Sequence, residues 1–400
     1  MTTTASVSSN AGLDVRSDDE ILAELMRFKP IDPANEKNIW AFWDKGLSKC
    51  PPWCQRNVIS WVRRHGHEWT VRVVDLAEGS ENHFSKYVEP SERFFPAAFL
   101  GGTLTGPVAQ VCSDLLRLPL LWLHGGVWLD IGFTLFRGLD SLCWETLESY
   151  GNSIEMAGFK ITMMQDAAMM LNSFIAARKG CVTIKHWYET YLEVWKGAQS
   201  TKGMTTHPLL RHLPRYDPPS LNGKKSPFEY NQFSDYLAQV LCLERVRHLR
   251  DPSVKWDGPD FFANQVLLYD CGPEVFWSDY LAGWDGRKQY NLLIREKDGV
   301  PHDEGYKESE AFVDAILATS STMKVSHAVT TPGRECLADI WDKPENHDAD
   351  FRPGTFASHL RWANVHYQAK HALHRVYLAP IEEALLTGPI LEVHGSPRAE

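Results

Sequence analysis

The segment from Val108 to Thr134 most constrains what this chain can fold into. Val111, Leu115, Leu118 and Leu121 recur at helical spacing, and Pro119 inside that run predicts a kink or a split. His124-Gly125-Gly126 reads as a turn, and Val127-Trp-Leu-Asp130 as a short strand ending on an acid. A helix delivered through a tight turn into a buried strand belongs to an α/β sheet.

The flanking sequence repeats the theme. Asn38-Ile-Trp-Ala-Phe-Trp43 reads as a buried strand. Pro51 and Pro52 suit the first turn of a helix whose Val58, Trp61, Val62 and His65 share a face, and Gly66 can stop it. Trp69 to Asp75 alternates as a strand does, which completes a βαβ unit. Asn172 to Ala177 predicts a further strand, and Ile184, Trp187, Tyr188, Tyr191, Leu192 and Trp195 a helical stripe. Asp18 or Asp19 is expected to cap a short helix, 213–227 to form a surface loop, and 295–310 another exposed loop. Strands alternating with helices predict a mostly parallel sheet flanked by helices, with additional helices in the C-terminal part. The expected organisation is a loose tail over 1–17, one domain over 18–330, and a helical extension over 331–400 packed on that domain.

Composition narrows the function classes. With 44% hydrophobic and 12% aromatic residues, 400 residues can bury a substantial core. A formal charge of −10, with no long run of Lys and Arg, argues against a nucleic-acid partner. The N-terminus lacks the pattern of a secretory signal. Leu115–Leu123 is only about nine residues long and carries Arg117, against the roughly 20 apolar residues of a membrane span. No transmembrane anchor and a cytoplasmic location are therefore expected. Cys50, Cys54, His65 and His67 can be forced into a zinc pattern, but the one-residue gap between the histidines is too tight for the usual finger.

Chemistry concentrates where the helix meets the strand. Asp114 and Arg117, three apart, share a helix face, and Asp130 ends a strand where ligands of open α/β sheets gather. Such a set suits sugar transfer from a nucleotide. The departing diphosphate gains negative charge and needs a divalent metal or cationic side chains, and hard cations prefer oxygen ligands such as Asp130. Asp114 and Arg117 can accept from and donate to sugar hydroxyls, and Gly125 and Gly126 allow close backbone approach. Plainer readings stand beside these: a helix-surface ion pair, a helix stop and a strand-end turn residue.

Asp114, Arg117, Gly125, Gly126, Trp128 and Asp130 together resemble the core of the family 32 glycosyltransferases and the related capsular polysaccharide synthesis proteins. The resemblance extends through Ile39-Trp-Ala-Phe-Trp-Asp-Lys-Gly46 and Asn172-Ser-Phe-Ile-Ala-Ala177. It implies a GT-A type nucleotide-sugar-binding domain, a hexosyltransferase taking a UDP- or GDP-sugar to a hydroxyl acceptor, and retention of anomeric configuration. It also implies a divalent ion, Mn2+ or Mg2+, at Asp130, with Asp114, Arg117 and Asp130 at the reacting centre. Trp40, with Trp43 as the alternate, is implied to stack on the nucleobase, although core packing explains either equally well. The resemblance further carries Trp128, Lys324 and His327 into the donor site, and Asp260, Phe261 and Gln265 toward the acceptor. One position departs from the pattern: Gly132 stands where a second Asp would complete Asp-x-Asp, which puts the metal in doubt and leaves a nucleotide-sugar-binding protein without turnover as the alternative.

Overall fold

The computed structural model describes residues 14–164, 167–214, 230–299, 301–327 and 335–393. In chain order its strands are β1 (Asn38–Phe42), β2 (Thr70–Val74), β3 (Gly126–Leu129), β4 (Phe133–Leu135), β5 (Met156–Met164), β6 (Ala167–Ala177), β7 (Leu249–Asp251), β8 (Trp256–Asp257), β9 (Val266–Asp270), β10 (Thr322–Lys324) and β11 (Leu386–Thr387). Six of them form the central sheet in the order β2-β1-β3-β6-β5-β9. Parallel pairing joins β1 to β2 and β3, and β5 to β9, while β6 alone runs against its neighbours. The largely parallel α/β sheet is as the strand–helix alternation predicts.

Alternation along each strand divides the core between the two faces. Ile39 and Ala41 of β1 and Val127 and Leu129 of β3 pack on one side, with Val58 and Trp61 of the Pro52–His65 helix. Trp40, Phe42 and Trp128 point to the other, where Leu115, Leu118 and Leu121 of the Val108–His124 helix cover them. The chain thus leaves β1 toward β2 over one face and returns from β2 to β3 over the other. The strand order reverses between β1 and β3, and open α/β sheets bind ligands in the crevice at the carboxyl ends of such a switch.

Several local expectations are revised. The Val108–His124 helix is continuous through Pro119. Proline forfeits one backbone hydrogen bond, but this helix is buried along the sheet and tertiary packing holds it together. Ser17, not Asp18 or Asp19, caps the Asp18–Leu25 helix in a capping box with Glu20. The expected 295–310 loop gives way to a helix at Glu304–Thr319, capped by Asp303. The 213–227 loop lies almost wholly outside the described residues, as does nearly all of the 1–17 tail. Cys50 and Cys54 are buried thiols pushed up by burial, and burial pulls His65 down to about 3. Among the described residues no His, Cys, Asp and Glu cluster suits a metal.

After residue 335 the chain wraps the outside of the Pro52–His65 helix. Leu337, Trp341, Phe356 and Leu360 join the same core cluster as Val58. Trp53 donates to Asp342 at 2.8 Å, and Arg56 and Arg361 both pair with Asp350, whose side chain is 1% exposed.

Candidate active site

Helical spacing puts Asp114 and Arg117 on the side of the Val108–His124 helix facing the end of β3. Their ion pair is 2.8 Å long, and Arg117 lies 3.5 Å from Asp130. Its guanidinium also donates to Gln239 at 3.1 Å and Ser113 at 3.0 Å, and sits 5.1 Å from the centre of the Trp128 ring. Asn172 donates to Asp114 at 3.3 Å and to Gln239 at 2.9 Å. The Arg117 side chain is only 4% exposed, so it is not a surface residue reaching outward. It is an internal tie holding two carboxylates in place.

Asp130 leaves β3 into a tight turn, in which the Phe133 amide donates back to the Asp130 carbonyl at 3.1 Å. Trp128 Nε1 holds Asp130 Oδ1 at 3.0 Å, and Lys324 Nζ holds Oδ2 at 3.0 Å. Lys324 arrives from almost two hundred residues away because β10 pairs antiparallel with β4, Lys324 opposite Phe133. Val325 N then donates to the Gly132 carbonyl at 3.0 Å.

The two carboxylates have opposite electrostatics. Burial pushes Asp114 up to about 6, with Asp130 adding to the rise and Arg117 opposing it. Burial also acts to raise Asp130, but the charges of Lys324 and Arg117, with the Trp128 and Lys324 hydrogen bonds, hold it below the usual carboxylate range. Tyr236, at the end of the Tyr230–Tyr236 helix, feels both acids: burial first and then their charges push its phenol up.

Asp114, Arg117, Trp128, Asp130 and Lys324 therefore converge, as expected. The other expected site residues do not join them. Trp40 is 0% exposed, enclosed by Tyr87, His124 and Arg72, with its Nε1 on the Gly125 carbonyl at 2.9 Å. A nucleobase cannot reach it. Trp43, just past the carboxyl end of β1, is partly exposed and packs against the core, and its buried Nε1 has no partner among the described residues. Trp128 is itself fully buried and orients Asp130 rather than meeting a ligand.

Gly125 and Gly126 lie at the amino end of β3, roughly 13 Å of strand away from Asp130. Both have positive φ, of 65° and 105°. A Cβ at 125 would crowd Glu36 and the Lys179 amide, and one at 126 would strike the Asn38 carbonyl. They close a helix and let two strands approach. His327 pairs with Asp342 at 2.7 Å and packs near Trp53; that hydrogen bond raises it above its usual value. It has no bond to the Asp114–Asp130 cluster. Asp260, Phe261 and Gln265 precede β9 and so lie toward the opposite end of the sheet, Phe261 in the core.

Gln239, Asn172, Ser113 and Tyr236 are site residues that sequence reasoning missed. Ser113 and Asn172 fall within segments already singled out by resemblance, but a lone Gln and a lone Tyr on helices over a hundred residues downstream carry no pattern.

A resident divalent ion does not fit this donor set. Hard cations take about six or more oxygens. Asp130 already accepts from Trp128 and Lys324 on its two oxygens, and the motif's second position is Gly132. No carboxylate can stand there: a Cβ at 132 would overlap the Val325 carbonyl oxygen and meet Trp53 at 3.7 Å.

Comparisons with known proteins place the chain among glycosyltransferases. The family profile described as "Capsular polysaccharide synthesis protein" matches residues 16–242. "Glycosyltransferase afumC" of Aspergillus fumigatus is 54% identical over 380 residues, 94% of this chain and 96% of that protein. "O-glycosyltransferase braB" of Annulohypoxylon truncatum is 42% identical over 95% of this chain and 91% of its own length. "O-glycosyltransferase PaGT" of Phomopsis amygdali is 36% identical over 96% and 92%. A solved structure, "PaToxG Glycosyltransferase", covers 56% of this chain and 76% of its own at 14% identity and a TM-score of 0.31, too distant to carry an argument. Among the described residues no helix is long and apolar enough to cross a membrane.

Proposed function

The chain is a glycosyltransferase of the capsular polysaccharide synthesis protein family, and from that premise we propose that it moves a sugar from a nucleotide-sugar, UDP- or GDP-linked, to a hydroxyl acceptor in the crevice between β1 and β3. The observation that carries this reading is the convergence of Asp114, Arg117, Asp130 and Lys324 at the carboxyl end of β3. Two relatives named O-glycosyltransferases support an oxygen acceptor.

In this reading the sheet is a GT-A type domain, and the partly exposed Asp114 carboxylate accepts from donor-sugar hydroxyls. Arg117 fixes it there and fixes Asp130 beside it. Trp43 offers a ring to the base just past the carboxyl end of β1. In the reaction the bond from the anomeric carbon to the phosphate oxygen breaks, and its electron pair leaves with the nucleoside diphosphate. The acceptor oxygen forms the new bond, and its proton passes to the departing diphosphate. Retention at the anomeric carbon is the outcome the family resemblance favours.

A thermal-shift screen with UDP, GDP, their glucose conjugates and free saccharides tests the reading, since a ligand of the native state raises its melting temperature by mass action. One nucleotide should shift the melt, and its sugar conjugate should be slowly hydrolysed. A shift with free saccharides alone would replace it with a transferase using another donor class.

A further inference from the structure

Asp130 already has a cation, and it is covalently part of the chain. Lys324 Nζ sits 3.0 Å from Asp130 Oδ2 and 5.8 Å from the Phe133 ring centre. Its backbone is pinned on both sides, by β4 pairing and by its amide donating to the Val275 carbonyl at 3.2 Å. Its side chain is 17% exposed, so the ammonium is reachable from the crevice. An ammonium has three N–H donors. One is spent on Asp130, which leaves two for a ligand.

The same pairing that delivers Lys324 removes the alternative. Val325, the next residue, presses its carbonyl against Gly132 and excludes any side chain there. One strand thus both installs an ammonium at the first acid of the motif and forbids the second acid. A dication brought to Asp130 would have to displace Lys324 or stand beside it against like charge.

Resting on the nucleotide-sugar reading above, we propose that Lys324 takes the place of the divalent ion, so that this transferase binds and releases its nucleoside diphosphate without a metal. Asp130 holds the ammonium in the crevice before the donor arrives, and the fixed positive charge meets the negative charge that grows on the diphosphate as the anomeric bond breaks. Such preorganised charge needs no rearrangement at the moment of reaction. Arg117 is too enclosed by Asp114, Asp130, Gln239 and Ser113 to take this part.

The full-length chain is titrated calorimetrically with UDP, GDP, dTDP and ADP, in EDTA and in manganese, and hydrolysis of the matching glucose donors is measured under both conditions. One diphosphate should bind, and its donor should be hydrolysed, equally in EDTA and in manganese, to within about twofold. Lys324→Met should weaken that binding in EDTA by roughly 10- to 100-fold, the usual worth of a hydrogen bond to a charged group. With Asp130 released, manganese should restore part of the loss, and Lys324→Arg should stay nearer the wild type. Binding and hydrolysis by the wild type that vanish in EDTA and return with manganese overturn the proposal while leaving the nucleotide-sugar reading intact. So does Lys324→Met binding as the wild type in EDTA. If none of the four diphosphates binds under either condition, the nucleotide-sugar reading itself falls, and this proposal with it. The chelator comparison on the wild type decides the matter even where Lys324→Met melts early, and Lys324→Gln supplies a second neutral variant.

Discussion

Gly132→Ala is the substitution that most directly tests how the site is built. The added methyl would overlap the Val325 carbonyl oxygen and lie 3.3 Å from its carbon. Backbone must therefore move by roughly 1 Å to regain ordinary contact. Overpacking of a closed site costs about 1–3 kcal/mol, and losing the Val325-to-Gly132 hydrogen bond and weakening the adjoining β4–β10 pairing adds about 1–2 kcal/mol more. The sum is ~2–5 kcal/mol. An unfolding entropy of ~2.1 cal/mol/K per residue gives ~0.8 kcal/mol/K for 400 residues. The melting temperature should fall by roughly 2–6 °C. The same shift moves Lys324 off Asp130, and an ångström of misplacement is worth about a hundredfold in rate. Calorimetric melting and donor hydrolysis measure the two losses together. Gly132→Asp should fare worse, although by motif alone it restores an acid and tightens metal binding. A Gly132→Ala protein that melts within about 1 °C of its parent and hydrolyses donor at the parental rate would refute this reasoning.

Three further outcomes are expected. Trp40→Ala should destabilise the fold by about 3–5 kcal/mol while leaving the donor KM of the folded protein unchanged, whereas Trp43→Ala should raise that KM with little change in melting; the reverse pattern would return the base to Trp40. Asp350→Ala leaves Arg56 and Arg361 without their buried partner and should cost about 3–5 kcal/mol, read as a fall in the melting temperature of about 4–6 °C. Because Asp114 is raised to about 6, the folded chain keeps a proton that the unfolded chain releases earlier, so this group withdraws stability as pH climbs from about 4 to 6 and no further above that. Asp114→Asn should remove that slope relative to the wild type, and wild-type kcat/KM should rise through about pH 6 as the carboxylate ionises; parallel melting curves against pH would count against it.

The sheet was legible because period and parity are local properties. Ile39 and Ala41 against Trp40 and Phe42 announce a strand covered on both faces, and Val127 to Asp130 do the same. Parity, however, does not say which aromatic meets solvent, since both faces of a central strand are covered. What separates Trp40 from Trp43 is position along the strand, inside it or past its carboxyl end. Gly125 and Gly126 were misread for a related reason. A glycine that closes a helix at positive φ and one that admits a ligand look alike in sequence, and only the Glu36 and Asn38 atoms beside them tell the two apart. Gln239 and Tyr236 left no local trace, because they reach Arg117 and the acids through tertiary packing alone.

The Asp130 motif shows where residue-type reasoning stops and charge balance takes over. Taken by itself, Gly132 reads as a lost ligand and therefore as a weakened metal site. In the folded chain an uncompensated Asp130 would be costly, because burial already acts to raise it. A metal is one way to supply the missing positive charge, and an ammonium on an adjacent strand is another. The two are close to mutually exclusive here, since the strand that brings Lys324 also fills the space a second carboxylate needs. Gly132 and Lys324 are then two halves of one arrangement, the first making room for the strand that carries the second. That coupling spans more than 190 residues and depends on the β4–β10 register. A shift of one residue in that register would turn Lys324 to the other face and leave Asp130 without its ammonium, held by Trp128 and Arg117 alone.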